Sequence, residues 1–493
     1  MEAETRSDAT PRDRPEPADA SRREDGRLPR WAGLTVMLLA VTALAAGLRF
    51  YHLSAPHEYV FDETYYAKDG CLDAGFPYRE CGLDSPNEQT FTVHPPLGRW
   101  IIAGGEALFG NRPFGWRFSS AVFGTLSVTL TALLAYLLFG SVGWAGVAGL
   151  LLATESLNFV QSRVSMLDIF LTTFVVAGFL FLVLDRRWID RRTDQAVVSR
   201  AEETQPDLLG LPPDHAPSPI LRPWRAAAGL AFGAAVATKW SGAPALLAAL
   251  VLALAWECTR RKRLRLVHPI WEAVRDEGFG LFLFLFLVPL MVYVASYARY
   301  FVDQGFHLTA WWRLQVDAAN FSIQLRASHP YASRPWTWPL MTRPVSYFYK
   351  GAGTGNAATS AEILGMGNPA IFWGGLVATV WAFMAWIGRR DWRGGLITVA
   401  FAVQYFPWFL ATRTAFFFYM APMTPFLVLA CAYGLKDLWE TRVGDTKVRA
   451  LAPLAVMLMV AAVGMFAFFF PILTGRTISY EAWRTRMWFP TWI

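Results

Sequence analysis

Long apolar runs separated by short polar breaks dominate the chain. They predict about 11 membrane-crossing helices, at roughly 31–50, 118–139, 142–159, 165–184, 226–239, 242–256, 279–298, 370–388, 395–411, 415–435 and 450–473. The fifth and sixth are short and separated by Lys239-Trp-Ser-Gly242, which reads either as a tight hairpin or as one long span broken once. Two further stretches, 97–110 and 307–325, mix apolar and polar residues at helical spacing and read as helices lying along the outer membrane surface. The expected class is an all-α polytopic membrane protein with two large outer loops, about 51–117 and 299–369. A polar N-terminal segment, 1–30, reads as a disordered cytoplasmic tail, and 31–493 as a single transmembrane domain. Within 185–225, a cytoplasmic linker, the stretch 193–222 carries Pro, Asp and Glu without apolar periodicity and is expected to be flexible.

The polar breaks also orient the chain. Basic clusters precede span one (Arg22, Arg23, Arg27, Arg30) and follow span four (Arg186, Arg187, Arg191, Arg192), span six (Arg260 to Arg263, Arg265), span eight (Arg389, Arg390, Arg393) and span ten (Lys436, Arg442, Lys447, Arg449). An odd number of spans puts every cluster on the cytoplasmic side and the C-terminal tail, 474–493, outside. The run 31–50 lacks a small-residue cleavage site and reads as an uncleaved anchor.

Composition adds little. The residues are 54% hydrophobic and 17% charged, as a membrane protein requires. The net charge of +7 invites a nucleic-acid reading, but the basic residues sit in short loops between spans and report topology instead. Cys71 and Cys81 share the first outer loop, on the oxidising side, and can be joined as a disulfide or remain two thiols; Cys258 and Cys431 are expected to be unpaired. There is no glycine-rich nucleotide loop and no His/Cys set with zinc spacing.

What topology does not explain is a group of ionisable residues at the outer ends of the spans. Asp62 and Glu63 lie in Tyr59-Val-Phe-Asp-Glu-Thr-Tyr-Tyr-Ala-Lys68, a dozen residues beyond span one; taken alone they would suit a solvated loop or a helix cap. His94 begins His94-Pro-Pro-Leu-Gly-Arg99, where the prolines fix an extended segment and the glycine permits a turn. Arg117 opens span two, Arg163 and Asp168 lie between spans three and four, and Lys239 between five and six. Arg343 lies in the second loop and Arg413 between spans nine and ten. Each has an ordinary reading as a snorkelling or structural charge. Together they deliver three acids, a histidine and several cations to one leaflet. Cations there can hold the phosphate of a lipid-phosphate sugar and stabilise the charge that grows on it as it leaves. A carboxylate within reach of an acceptor hydroxyl can take its proton. Phe61, Tyr65 and Tyr66 can stack on a sugar ring.

These residues fall in segments that resemble the protein O-mannosyltransferases in their bacterial, actinobacterial-type form. The segments are Phe61-Asp-Glu63, Val93-His-Pro-Pro-Leu-Gly98, Gly115-Trp-Arg-Phe-Ser119, Gln161-Ser-Arg-Val-Ser-Met-Leu-Asp168 and Thr238-Lys-Trp-Ser-Gly242. They continue with His329-Pro-Tyr331, Ser333-Arg-Pro-Trp-Thr-Trp-Pro339, Arg343-Pro-Val345 and Phe416-Phe-Phe-Tyr-Met-Ala-Pro-Met-Thr-Pro-Phe426. The resemblance runs from about residue 31 to the C-terminus. It implies a glycosyltransferase C fold in the bacterial cell membrane and inverting transfer of mannose from a polyprenyl-phosphate donor to Ser or Thr of unfolded exported polypeptides, with the export channel as a candidate partner and no cofactor or metal. Carried over residue by residue, Asp62 is the base, Glu63 supports it, and Arg117 occupies a position tied to activity. Arg163, Lys239, Arg343 and Arg413 are expected to hold phosphate or line the site, together with His94 and Asp168. Rival readings are a transferase of the same superfamily acting on lipid or cell-wall glycan, and a transporter or flippase, which would place charges at the bilayer midplane. An Asn-directed oligosaccharyltransferase fits less well, because Trp311-Trp-Arg313 lacks the Asp expected after two tryptophans.

Overall fold

The computed structural model of the chain describes residues 30–85, 93–203, 216–326, 328–441 and 451–493, side chains excepted at 30 and 198–203. The tail expected at 1–30 lies outside them up to residue 29, as does 204–215 of the expected linker.

Helix α1 (Arg30–Phe50) is apolar on every face and only 11% of its central window is buried, the mark of a helix with lipid on most sides. The first large loop then folds into α2 (Glu63–Asp73) and α3 (Leu97–Phe109), and Cys71 and Cys81 are joined as a disulfide that ties off the loop between them. Helix α4 (Pro113–Phe139) has Pro at its start, where a missing N–H costs nothing, and stops at left-handed Gly140. After α5 (Val142–Ala153) and the single turn of α6 (Ser156–Gln161) comes the central helix, α7 (Leu167–Glu203), whose spanning window is 83% buried. Around it stand α8 (Pro223–Thr238) and α9 (Ala243–Arg263), then α10 (Pro269–Phe282) and α11 (Val288–Ala295), which run on through a π-helical turn at 283–287.

The second large loop holds α12 (Ala298–Gln304), α13 (Leu308–Gln324) and a hairpin of β1 (Val345–Ala352) and β2 (Thr359–Gly365). Helices α14 (Pro369–Arg389), α15 (Trp392–Tyr405), α16 (Thr424–Glu440) and α17 (Ala452–Leu473) complete the bundle, the window ending in α16 being 94% buried. The C-terminal tail adds β3 (Ile478–Ser479) to the hairpin in the antiparallel order β1-β2-β3, followed by the short α18 (Tyr480–Arg484). Trp492 is buried and donates to the Met341 carbonyl, so the tail and the second loop lie on one side of the bundle.

Every expected span overlaps a helix, but 142–159 is broken between α5 and α6, 395–411 runs past the end of α15, and 415–435 starts before α16. Among the described residues eight helices are long and apolar enough to cross a membrane; α5, α8 and α15, at 12, 16 and 14 residues, are the shorter ones. The residues expected to lie along the membrane surface form α3 and α13. Two expectations need correction. The helical class holds, but a three-stranded sheet was not foreseen, because 345–365 has the composition of a loop and finds its partner strand partly in the distant tail. The segment 185–225 is not a linker throughout. Helix α7 extends to Glu203, and Asp185, Arg222 and Arg225 are buried in a network with Glu257, Arg260, Arg261, Asp276 and Glu277. Four guanidinium groups there face four carboxylates, which is the condition under which charge tolerates burial.

Close helix contact elsewhere depends on small residues. A Cβ on Gly229 of α8 would collide with the Phe284 carbonyl in the π-helical turn. Gly229→Ala is expected to cost about 1–3 kcal/mol through overpacking, measured as a lowered melting temperature in detergent. An unchanged melting temperature would show that the two helices can part without penalty.

Candidate active site

The chain reaches Asp62 through a strained turn. Phe61 has φ of +50°, a conformation that costs a non-glycine residue about 1–2 kcal/mol. The turn sends the Phe61 ring flat against Tyr347 of β1, at 4.9 Å between centroids, and edge-on to Phe418 at 5.7 Å. Asp62 follows at the start of α2, half-buried, and its carboxylate caps no backbone N–H. Burial pushes its carboxyl up to about 6, with Lys239 opposing and Asp168 adding to the rise.

Glu63 points the other way. Arg117 grips both its oxygens at 2.8 Å, and the backbone N–H groups of Val60 and Ser165 each donate to it at 3.0 Å. Arg117 also donates to the carbonyls of Leu53, Pro56 and Glu58. Both side chains are fully buried. The pair therefore holds the segment 53–63 in place, and Glu63 has no face left for an acceptor.

Lys239 leaves the end of α8 and donates to both oxygens of Asp168 at the start of α7, at 2.9 and 3.1 Å. Its ammonium also lies 4.7 Å from the centroid of Tyr419, which stacks on Trp408. Arg413 is 3.4 Å from the Tyr419 hydroxyl. His94, Lys239, Arg413, Trp240, Gln404 and Trp408 are among the walls of a cavity of about 220 Å³. His94 is driven well below its ordinary range by burial and by Lys239, Arg413 and Arg99, so its imidazole is neutral at pH 7. Gly98 is helical, not the turn expected for it. Its bare backbone lets α3 press against Leu167 and Thr238, where a Cβ would come within 2.6 and 3.3 Å. That contact brings His94 beside Lys239.

The sequence-derived candidates thus divide. Asp62, His94, Asp168, Lys239 and Arg413 converge, with Asp62 beside the Lys239–Asp168 pair and not on the cavity wall itself. Glu63 and Arg117 stand behind Asp62. Arg163 is elsewhere: it donates to the carbonyls of Leu48, Arg49, Tyr51 and His52 at the end of α1, where a helix leaves acceptors unfilled. It caps a helix and does not reach the cavity. Arg343 binds the carbonyls of Pro330 and Thr491, fastening the tail to the second loop, and is not part of the cavity wall either. Gln404 was missed. Among the described residues its buried Nε2 has no hydrogen-bond partner, and it lines the cavity, but an uncharged residue inside an apolar helix gives no sign in sequence. Trp240 and Tyr419 lay within segments that were legible, though their own contribution was not.

A larger cleft of about 450 Å³ between α5, α14, α16 and α17 has almost wholly apolar walls and none of these ionisable groups. Its size does not make it the site of chemistry.

The fold is that of the glycosyltransferase C membrane enzymes. The Pmt1-Pmt2 protein O-mannosyltransferase complex of Saccharomyces cerevisiae, solved with its sugar donor bound, superposes with a TM-score of 0.72 at 14% identity, covering 93% of this chain and 92% of that one. ArnT from Cupriavidus metallidurans, solved with undecaprenyl phosphate, gives 0.51 at 17% identity over 90% and 77%. Residues 93–196 match the family model described as dolichyl-phosphate-mannose-protein mannosyltransferase, and 307–492 that of the C-terminal four-transmembrane region of protein O-mannosyltransferase. The polyprenol-phosphate-mannose–protein mannosyltransferase of Mycolicibacterium smegmatis is 34% identical over 92% of this chain and 92% of its own length. Its Mycobacterium tuberculosis counterpart is 33% identical over 95% and 93%. The chain belongs to the protein O-mannosyltransferase family.

Proposed function

We propose that this enzyme transfers mannose from a polyprenyl-phosphate mannose donor to Ser or Thr hydroxyls of exported, unfolded polypeptides at the outer face of a bacterial cell membrane. The observation that carries the mechanism is a carboxylate, Asp62, within the electrostatic reach of the Lys239–Asp168 pair, beside a cavity that also holds Arg413 and His94. The acceptor oxygen attacks the anomeric carbon while its proton passes to Asp62. The bond from that carbon to the phosphate oxygen breaks, and the electron pair leaves with polyprenyl phosphate. Lys239 and Arg413 supply the positive charge this leaving group needs, and Gln404 Nε2 has a hydrogen bond to give. Neutral His94 donates or accepts without adding charge.

A single displacement inverts the anomeric centre. Glu63 is locked by Arg117 and Asp168 is held by Lys239, so Asp62 acts alone as base and neither other carboxylate is offered as a nucleophile. The lipid donor is a substrate, and the transfer draws its cationic groups from side chains, with no cofactor. The basic clusters between spans and the disulfide in the first loop support a cytoplasmic N-terminus and an outer C-terminus, and with them 11 crossings. An acceptor that must be unfolded fits delivery from the export channel.

The test is a membrane assay with labelled polyprenyl-phosphate mannose and a Ser/Thr peptide. Mannose on the peptide supports the reading. Label appearing only in lipid or cell-wall glycan would replace it with the rival transferase. In the same assay Lys239→Ala is expected to raise the donor KM at least tenfold, by losing a charge-assisted phosphate contact. Unchanged donor dependence would remove Lys239 from the donor site.

A further inference from the structure

We propose that the acceptor polypeptide binds as an added antiparallel or parallel strand on the open edge of β1, hydrogen-bonded through the main chain of Tyr349 and Gly351. The inference rests on the protein-directed transfer above and specifies how the protein acceptor is recognised.

The sheet order leaves β1 at an edge. Which of its groups face outward follows from the far side of β2. The carbonyls of Ala358 and Glu362 accept from Tyr480 and Gly475, so these residues turn their main chain toward the tail. In an antiparallel ladder the N–H and C=O of one residue point the same way and alternate along the strand. Thr359, Ala361 and Ile363 therefore face β1, where they pair with Ala352, Lys350 and Phe348. Tyr349 and Gly351, opposite Glu362 and Ser360, turn their N–H and C=O away from β2. Both residues are exposed, and among the described residues no backbone group outside the sheet bonds to them.

An open edge with two outward donor–acceptor pairs is the surface that extended peptides use for strand addition. Its position gives the occupant. Two residues before Tyr349, Tyr347 stacks on Phe61, the residue adjoining Asp62. A strand along β1 would thus lead a hydroxyl-bearing side chain toward the base. Main-chain recognition also suits an enzyme whose acceptors differ in sequence, because every residue but proline offers the same groups. An unfolded segment presents them along its whole length, whereas a folded domain offers them only at an open sheet edge, so the edge favours polypeptide that has not yet folded.

The test is a series of acceptor peptides, each N-methylated at one position beside a single Thr. Strand addition predicts an alternating pattern: methylation at two sites two residues apart raises the peptide KM about fivefold or more with kcat little changed, and methylation between them does nothing. Gly351→Pro deletes one outward N–H at a position where β1 gives none to β2. It should raise the KM of the unmethylated peptide by a similar factor while the melting temperature and donor KM hold. Uniform sensitivity, or none, overturns strand addition while leaving mannosyl transfer to peptide intact. Failure of the unmethylated peptide to accept mannose overturns both.

Discussion

Asp62→Asn is expected to lower mannosyl transfer by a factor of about 100 to 10,000, the usual contribution of a positioned general base, while the protein still inserts and melts as before. Asn keeps the shape but cannot take the proton. Asp62 caps no helix N–H, so its replacement leaves no buried donor stranded. The pH profile adds a readout that a structural role would not move. The base works when ionised, and burial holds its carboxyl at about 6. The value of kcat/KM should therefore fall as pH drops through about 6, well above the limb near 4 that an ordinary aspartate would give. Because Lys239 opposes this rise, Lys239→Ala should move the limb to higher pH. A flat profile from pH 5 to 8, or full activity of the Asn variant, would remove Asp62 from the base role.

Arg117→Ala is expected to be the most damaging change that touches no reacting atom. It strips the buried Glu63 of both its 2.8 Å bonds and takes the donor from three carbonyls of the segment 53–63, that of Leu53 buried and those of Pro56 and Glu58 part-buried. Losing one member of a buried pair costs about 3–5 kcal/mol. A drop of many degrees in melting temperature, with loss of transfer, is the expected result. Arg117→Ala combined with Glu63→Gln removes the stranded charge and should recover part of the stability. Activity should stay low, because the loop that aims Asp62 is still untied. A double variant no more stable than the single one would show that the Glu63 charge was not what the arginine offset.

How much of this was legible in the sequence differs by level. Apolar runs marked the helices of the bundle, since that signal is local and read directly along the chain. Ionisable residues at outer span ends stood out for the same reason, and Asp62, His94, Lys239, Asp168 and Arg413 do converge. Their partners were not legible. Asp168 is next door to Arg163 in sequence yet pairs with Lys239, 71 residues away, while Arg163 turns back to the end of α1. Glu63, adjacent to Asp62, is committed to Arg117 and to the N–H groups of Val60 and Ser165, because consecutive residues at a helix start lie about 100° apart around its axis and meet different neighbours. The sheet was hidden because its third strand lies more than a hundred residues beyond its second.

The order of residues by itself determined that this chain is a helical membrane protein and which charged side chains stand at the ends of its helices, because the cost of burying charge in hydrocarbon is a property of each residue. Tertiary structure alone decided which of those charges meet. That is settled by the packing of α2, α3, α7 and α8, and it turned one of two neighbouring acids toward the Lys239–Asp168 pair and the other into a buried clamp.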